Sequence, residues 1–270
     1  MNSSSNYIEK NKTLWNKRTD YHFNSEFYSV ENFIKGASSL NDIELNLLGD
    51  IKNKTILHLQ CHFGQDTLSL ARLGAMATGV DLSDNAIIKA KELAVKLNSD
   101  TSFICCNVYD LREHLNEKFD IVFTSYGTIG WLPDLNKWAK LIVDFLKPGG
   151  TFILVEFHPF MWIFDNDFNN VEYSYFKSEP IVETEQNTYA DKTAAINLES
   201  ITWNHSIGEV FESLVTNGLS VNDIKEYNYS PYDCFNGTEQ LEPGKFIIKK
   251  FGNKIPMAYS LLAKKEIRVK

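Results

Sequence analysis

Between residue 54 and about residue 156, short apolar runs alternate with amphipathic stretches. This alternation is typical of a doubly wound α/β sheet, in which helices connect parallel strands. The runs are almost continuously apolar, as expected for parallel strands buried on both faces, whereas a half-exposed antiparallel sheet would alternate apolar and polar residues. We therefore predict five parallel strands, which are TILHLQ, AMATGVD, TSFICC, FDIVFTS and TFILVEF.

The stretches between these runs carry helix signals. Ser83 is a residue type that caps helix N-termini, and Ile87, Ala90, Ala94 and Leu97 follow at spacings of three and four, which predicts an amphipathic helix. A second helix, LNKWAKLIVDFL, is followed by KPGG, where proline cannot continue a helix and glycine can adopt the positive φ of a helix exit.

The length of 270 residues suits one domain with an insertion, because no linker-like segment forces a split. We predict an N-terminal helical cap segment at 1–50 and a main domain at 51–270. From about 157 to 205 the alternation fails, and this aromatic-rich segment is expected to form inserted hairpins. A late helix and two closing strands follow, and we expect these strands to pair antiparallel, with SPYDCFNGTEQLEPGKF as a loop between them.

Composition narrows the class of ligand. The formal net charge of −8 comes from 35 acidic and 27 basic residues without a basic block, which disfavours nucleic acid and anionic lipid as partners. No apolar run is long enough to cross a bilayer, and the start MNSSSNYIEKNK lacks the apolar segment of a secretory signal. Four cysteines without C-x-x-C spacing fit a reducing compartment and match no zinc pattern. We expect a cytoplasmic protein that binds a small molecule or another protein, and no metal.

Ligands of an open parallel sheet bind beyond the carboxyl ends of the strands, near the point where the strand order reverses. Asp81 ends the second strand, where its carboxylate can accept hydrogen bonds from both hydroxyls of a ribose, or can simply stabilise the N-terminus of the next helix. Asn107 follows the third strand and can pair with an adenine edge or satisfy a turn. Both interpretations stay open at each position.

The order of these motifs resembles the class I S-adenosylmethionine-dependent methyltransferases. The resemblance lies in ILHLQCHFGQDTLSLARLGAMATGVDLSDNAIIKAKELA, NVYDL, FDIVFTSYG and FLKPGGTFILVE, and it covers about residues 50–156. It implies a Rossmann-like sheet of seven strands, mostly parallel with the last strand antiparallel. It also implies S-adenosyl-L-methionine as cofactor, at the ends of the first, second and fourth strands, and methyl transfer to a small-molecule acceptor by in-line displacement.

The resemblance assigns roles by position. The loop after the first strand would surround the methionine part of the cofactor, and Asp81 would hold the ribose. Leu82, Asn107 and Val108 would contact the adenine, while Ser125 and Tyr126 would line the methyl-transfer side. The full set of implied cofactor residues is Gln60, Cys61, His62, Gly64, Asp81, Leu82, Asn107, Val108 and Ser125.

The chain departs from the family pattern within these motifs. His58 replaces an acidic residue, Gln60 and His62 replace the first two glycines of the loop, and Asn107 stands where an aspartate is common. A dinucleotide needs glycines because its pyrophosphate lies against bare backbone, whereas S-adenosylmethionine has no phosphate. The glycine-poor loop therefore counts against the alternative of a nicotinamide-dependent oxidoreductase. A non-catalytic, cofactor-binding regulatory protein is the second alternative, since fold alone does not guarantee activity.

A positioned base helps methyl transfer when the acceptor carries a proton. His158, after the fifth strand, and His205, before the late helix, are candidate bases, with His22 as a third; each can instead be a histidine that hydrogen-bonds a loop. Tyr126 is a further catalytic candidate. The apolar HPFMWIF segment can line an acceptor pocket or form the surface of a homodimer. The candidate acceptor-pocket residues, which can equally be core packing, are Tyr28, Trp131 and Tyr189.

Overall fold

The computed structural model describes residues 6–267, and among these no helix has the length and apolarity needed to cross a membrane. The helices are α1 (Tyr7–Phe23), α2 (Val30–Ile34), α3 (Asp42–Leu48), α4 (Gln65–Arg72), α5 (Asp84–Lys96), α6 (Leu135–Phe145) and α7 (Ile207–Thr216). The strands are β1 (Thr55–Leu59), β2 (Met76–Asp81), β3 (Ser102–Cys105), β4 (Phe119–Ser125), β5 (Leu146–Phe157), β6 (Ile181–Glu185), β7 (Leu198–Thr202), β8 (Leu219–Tyr227), β9 (Thr238–Glu242), β10 (Lys245–Ile248) and β11 (Ala258–Lys265).

Seven of these strands form one mixed sheet in the order β3-β2-β1-β4-β5-β11-β8. Strands β1 to β5 run parallel, and β11 is antiparallel to both of its neighbours, β5 and β8. The predicted Rossmann-like seven-stranded sheet with an antiparallel last strand is therefore confirmed. Strand order reverses between β1 and β4, so the loops after these two strands open a crevice at the carboxyl edge of the sheet.

Helices pack on both faces of this sheet, and each face has its own apolar core. Leu57 of β1 belongs to the core that contains Trp138 of α6 and Leu214 of α7. Its neighbour Ile56 belongs to the core on the other face, which contains Ile43 of α3. Successive strand residues point to opposite faces, which is why strands buried on both sides read as continuous apolar runs.

The fifth strand begins earlier than the sequence indicates. Helix α6 ends at Phe145 and β5 begins at Leu146, so KPGG lies inside the strand rather than before it. Gly149 has φ +77, and the pairing of β4 with β5 shifts register between Phe119 and Ile121. Gly149 thus has the expected positive φ, but it lies in the first part of β5 and not at a helix exit.

Two hairpins lie outside the main sheet. β6 and β7 pair antiparallel within residues 157–205. β9 and β10 form a second antiparallel hairpin in the segment that was expected to be a loop. That expectation was wrong because the residues of β9 are mostly exposed, so the sequence TEQLE has no apolar periodicity to indicate a strand.

Candidate functional site

A cavity of about 870 Å³ opens at the carboxyl edge of the sheet. Its walls come from the loops after the first four strands, from α1 and from the inserted residues 157–205. Of the site residues expected from the sequence, His158 does not line this cavity. The residues that do are Gln60, Cys61, His62, Gly64, Asp81, Leu82, Asn107, Val108, Ser125, Tyr126, Tyr28, Trp131, Tyr189 and His205.

The loop after β1 keeps a glycine-type backbone without the glycines. Gln60 has φ +55 and His62 has φ +51, and Gly64 follows with φ +79. Left-handed backbone at a residue with a side chain costs on the order of 1 kcal/mol, so two such residues in one loop need compensating contacts. Gln60 and His62 therefore differ from the family's glycines in their side chains, while their backbone angles are of the kind that glycine adopts most easily.

Asp81 holds this loop against the start of α5. Its Oδ2 accepts a hydrogen bond from the His62 N–H at 2.8 Å, and its Oδ1 accepts one from the Ser83 N–H at 2.8 Å. Burial raises the pKa of Asp81 to about 6, although the hydrogen bonds from backbone amides oppose that shift. Each carboxylate oxygen has a second lone pair, so Asp81 can stabilise the helix start and still accept hydrogen bonds from a ligand.

Two polar atoms of the same loop are buried without a partner among residues 6–267. Gln60 donates through Nε2 to the Thr128 carbonyl at 2.8 Å, but its Oε1 accepts no hydrogen bond. His62 Nε2 contacts His22 Nδ1 at 3.0 Å, and its Nδ1 is unpaired. Buried polar groups are almost always hydrogen-bonded, so these two atoms are candidate contacts for a polar ligand.

His62 belongs to a chain of neutral imidazoles. Burial lowers the pKa of His62 to about 3, and burial followed by the nearby His62 ring lowers that of His22 still further. His22 Nε2 in turn contacts the Thr188 hydroxyl of the inserted segment. In the tautomer where Thr188 donates to His22 and His22 donates to His62, the unpaired Nδ1 of His62 carries a hydrogen.

His58, at the position where the family has an acidic residue, is a buried residue of the cavity lining. Its Nδ1 contacts Thr67 Oγ1 at 2.8 Å and its Nε2 contacts Ser125 Oγ at 3.4 Å, and burial lowers its pKa to about 3. Ser125 Oγ also donates to Asp66 Oδ2 at 3.1 Å. Asp66 lines the cavity, and burial raises its pKa. The sequence-based reasoning missed Asp66 because one acidic residue in a helix start is common.

Tyr126 is held by a second buried carboxyl group. Its hydroxyl donates to Glu44 Oε2 at 3.1 Å, and its own φ is +32. Burial, together with the charge of Asp66, raises the pKa of Glu44 to about 8. No described Lys, Arg or His forms an ion pair with Glu44 or Asp66. Glu44 contacts the cavity-lining Tyr126, and its raised pKa favours the protonated form of this one carboxyl group at neutral pH.

Glu156 shapes the loop after β4. Its carboxylate, which is 2% exposed, accepts hydrogen bonds from the backbone N–H groups of Gly127, Thr128 and Ile129. Because these amides are buried and turn through a tight loop, one carboxylate satisfies donors that would otherwise be unpaired. Glu156 lies next to the last residue of β5, and its position near the strand end was the available sequence signal.

Neither candidate histidine base has a free ring nitrogen. His158 contacts Glu226 Oε1 through Nε2 at 2.9 Å and accepts the Phe160 N–H through Nδ1. His205 contacts the Leu132 carbonyl through Nε2 at 2.8 Å and Glu209 through Nδ1 at 3.0 Å. The contacts match the loop-bonding interpretation of both residues, and we do not propose either as a base.

The N-terminal helix contributes more to the cavity than its sequence indicates. Tyr28, just after α1, and Tyr189 of the insertion join through their hydroxyls at 2.5 Å. Arg18 of α1 pairs with Glu185 of β6 at 3.0 Å, and both line the cavity.

Helix α1 buries residues at spacings of three and four, which are Asn11, Leu14, Arg18 and His22. The helical spacing of these mostly polar residues was the available sequence signal for Arg18. Apolar periodicity alone does not detect it.

Comparison with known proteins identifies the central part of the chain. A family described as "Methyltransferase domain" matches residues 56–150, which run from β1 into β5. Residues 56–150 are thus similar to a methyltransferase domain. This match and the sheet order confirm the resemblance to class I S-adenosylmethionine-dependent methyltransferases that the sequence motifs carry.

The curated relatives match this chain only in part. A ubiquinone biosynthesis O-methyltransferase of Coxiella burnetii is 31% identical over 100 residues, which are 37% of this chain and 42% of that protein. An uncharacterized methyltransferase of Synechocystis is 32% identical over 136 residues, or 48% and 60% of the two chains. The chain thus spans about half the length of the curated relatives it matches.

The fold of this chain recurs in solved structures over a longer stretch. The crystal structure of an S-adenosylmethionine-dependent methyltransferase from Clostridium acetobutylicum covers 94% of this chain and 99% of its own, with a TM-score of 0.58 and 17% identity. At this identity the likeness concerns the fold alone. Arg18, His22, Tyr28 and Tyr189 lie outside the matched residues 56–150, so their roles depend on the cavity geometry.

Proposed function

We propose that the protein transfers the methyl group of S-adenosylmethionine to a small-molecule acceptor. The observation that carries this proposal is the convergence of Asp81, Gln60 and His62 on one cavity at the point of strand-order reversal. Each offers a polar atom with spare hydrogen-bonding capacity there. A homodimer and a cytoplasmic location remain predictions.

The side chains of the cavity fit this cofactor. Asp81 offers acceptors for ribose hydroxyls, and the unpaired Gln60 Oε1 offers one for the ammonium of the methionine part. Asn107 uses its Oδ1 to accept the Tyr109 N–H, while its amide N–H groups have no partner within the described residues and can reach an adenine edge. A pyrophosphate would meet the side chains of Gln60 and His62 instead of bare backbone, which disfavours a nicotinamide dinucleotide.

The bound cofactor supplies an activated methyl group, so the chain mainly has to orient the acceptor and exclude water. Tyr28, Trp131 and Tyr189 supply the aromatic walls for this. Asp66 is the carboxyl group on the side of Ser125, and its raised pKa suits a group that takes up the proton an acceptor loses. We therefore assign the base role to Asp66 in place of the two histidines.

Calorimetry with S-adenosylmethionine and S-adenosylhomocysteine tests the proposal. We expect Asp81→Asn to weaken binding by about tenfold or more, because hydroxyl donors prefer a charged acceptor. The affinity of the wild type should fall as the pH drops through about 6, since protonation removes that charge. Asp84→Asn is the matched control, because Asp84 is exposed and pairs with Lys12.

Absence of binding at submillimolar concentrations of either compound would overturn the proposal. Turnover separates the enzyme from a non-catalytic regulatory protein that binds the same cofactor. We expect S-adenosylhomocysteine to form with at least one member of a panel of small phenols, alcohols and amines. Binding without turnover across that panel would favour the regulatory alternative.

A further inference from the structure

Arg18 is a buried cation with an unused donor. Its side chain is 8% exposed, and its only ion pair within residues 6–267 joins Nη2 to Glu185 Oε2 at 3.0 Å. The Nε atom is buried and has no partner among the residues that the structure describes. Because a buried guanidinium donor without a partner is costly, a ligand atom that accepts from Nε would relieve the cost.

Arg18 is fixed in place by aromatic side chains. Its guanidinium carbon lies 5.1 Å from the ring centre of Trp15 and 5.7 Å from that of Trp131. Trp15 in turn contacts the His62 ring, with centres 5.3 Å apart. The two indoles also contact each other, with ring centres 5.3 Å apart. A guanidinium packed against this indole pair has few alternative rotamers, so its donors are aimed before a ligand arrives.

The charge of Arg18 reaches the cofactor loop. After burial, Arg18 is the second cause of the lowered pKa of His62, so the two groups are close enough to interact. His62 also has an unpaired buried atom, Nδ1, which carries a hydrogen in the tautomer described above. Two donors, one of them charged, thus lie on the same wall of the cavity. A planar anion with two oxygens, such as a carboxylate, is the ligand that fits them.

We propose that Arg18 binds a ligand carboxylate in this cavity. The inference rests on the proposed function, in which two molecules can bring that group: the cofactor through its methionine part, or the methyl acceptor. Glu185 holds the guanidinium through Nη2, and the ligand carboxylate accepts from Nε. Arg18 is therefore a binding residue supplied by the N-terminal helix to a site built mainly by residues 56–150.

The first arm of the test uses a truncated ligand. S-adenosylhomocysteine has the carboxylate, whereas 5′-methylthioadenosine lacks the whole amino-acid part, and calorimetry gives the affinity of each. If the cofactor is the source, Arg18→Gln should weaken S-adenosylhomocysteine binding about tenfold or more and leave 5′-methylthioadenosine binding unchanged. Lys10→Gln is the matched control, because it removes the same charge from an exposed position on the same helix.

The second arm addresses the acceptor. Benzoate and its neutral isostere benzamide are titrated into the protein loaded with S-adenosylhomocysteine. If the acceptor brings the carboxylate, wild type binds benzoate more tightly than benzamide, and Arg18→Gln loses that preference while its affinity for S-adenosylhomocysteine is unchanged. Arg18→Lys keeps the charge and serves where Arg18→Gln fails to fold, with the same losses expected at a smaller size.

Equal loss of S-adenosylhomocysteine and 5′-methylthioadenosine affinity would mean that Arg18 only supports the fold, and would overturn the inference. No change in either arm would overturn it as well. A wild type that binds neither nucleoside contradicts the proposed function instead, so the two failures are distinguishable.

Discussion

At the scale of single residues, Gln60 and His62 combine a glycine-type backbone with large polar side chains. Gln60 connects the loop after β1 to the loop after β4 through the Thr128 carbonyl. A glycine at either position would relieve the backbone strain and remove the polar atoms from the cavity. These residues therefore allow backbone and side-chain contributions to be separated by experiment.

Gln60→Gly should leave the free energy of unfolding within about 1 kcal/mol of the wild type, because relief of the left-handed strain offsets the lost hydrogen bond. Its affinity for S-adenosylhomocysteine should fall about tenfold, because Oε1 is lost. Asn98→Gly is the control, since Asn98 also has a left-handed backbone, with φ +51, but lies outside the cavity lining. Unchanged affinity in Gln60→Gly would contradict a binding role for the amide.

Gly64 is needed for space as well as for its backbone angle. The φ of Gly64 is +79, and a Cβ atom at this position would lie 2.5 Å from a ring carbon of Phe103. We expect Gly64→Ala to lower the free energy of unfolding by about 3 kcal/mol, measured by urea denaturation. Gly218→Ala, with φ +94 and nothing within 4 Å, isolates the backbone strain and should cost about 1 kcal/mol. Equal losses in the two variants would rule out the close contact with Phe103.

At the scale of elements, α1 attaches the inserted hairpin to the rest of the molecule. Asn11 donates through Nδ2 to the Ile201 carbonyl at 2.7 Å and accepts the Ile201 N–H at 2.9 Å, so one side chain extends the hydrogen bonding of β7. The contacts Arg18–Glu185 and His22–Thr188 join the same two segments. One wall of the cavity therefore depends on the packing of α1 against the hairpin.

Asn11→Ala should lower the free energy of unfolding by about 2 kcal/mol, because both backbone groups of Ile201 lose their partner in a buried place. The variant should also be cleaved faster by a protease between β6 and β7, and gel electrophoresis measures the cleavage rate. Thr13→Ala is the control, since the Thr13 hydroxyl bonds only to the Glu9 carbonyl of its own helix. Similar cleavage rates in both variants would show that the hairpin does not depend on α1.

At the scale of the whole molecule, the buried acid Glu44 links stability to pH. Burial raises its pKa to about 8 in the folded protein, from an ordinary value of 4.5. The folded state therefore binds this proton more tightly than the unfolded state does. The resulting stabilisation is fully present below about pH 4.5 and is lost as the pH rises through about 8.

Glu44→Gln mimics the protonated side chain and should remove this loss. We expect the variant to gain at least about 1 kcal/mol over the wild type at pH 9, with a much smaller difference at pH 5, by urea denaturation at each pH. Glu31→Gln, at an exposed position of α2, corrects for the change in net charge. A gain that is independent of pH would contradict the assignment to Glu44.

The sequence by itself determined the local elements and the order of the cofactor motifs. Continuous apolar runs predicted the parallel strands, and Ser83 predicted the start of α5, where its hydroxyl accepts the Ala86 N–H. These features depend on neighbours within a few positions, which is why periodicity and capping could indicate them. The hairpin of β9 and β10 escaped because its residues are exposed and carry no periodic signal.

Only the tertiary structure decided which polar groups meet. His22 and His62 are 40 positions apart, and His22 and Thr188 are 166 apart, yet they form one hydrogen-bonded chain. His158, a candidate base by its position after a strand, accepts the Phe160 N–H and caps the helical turn that follows it. Such contacts depend on how helices and hairpins pack over the sheet. A sequence pattern predicts which face of each element is buried, but not which partner that face will contact.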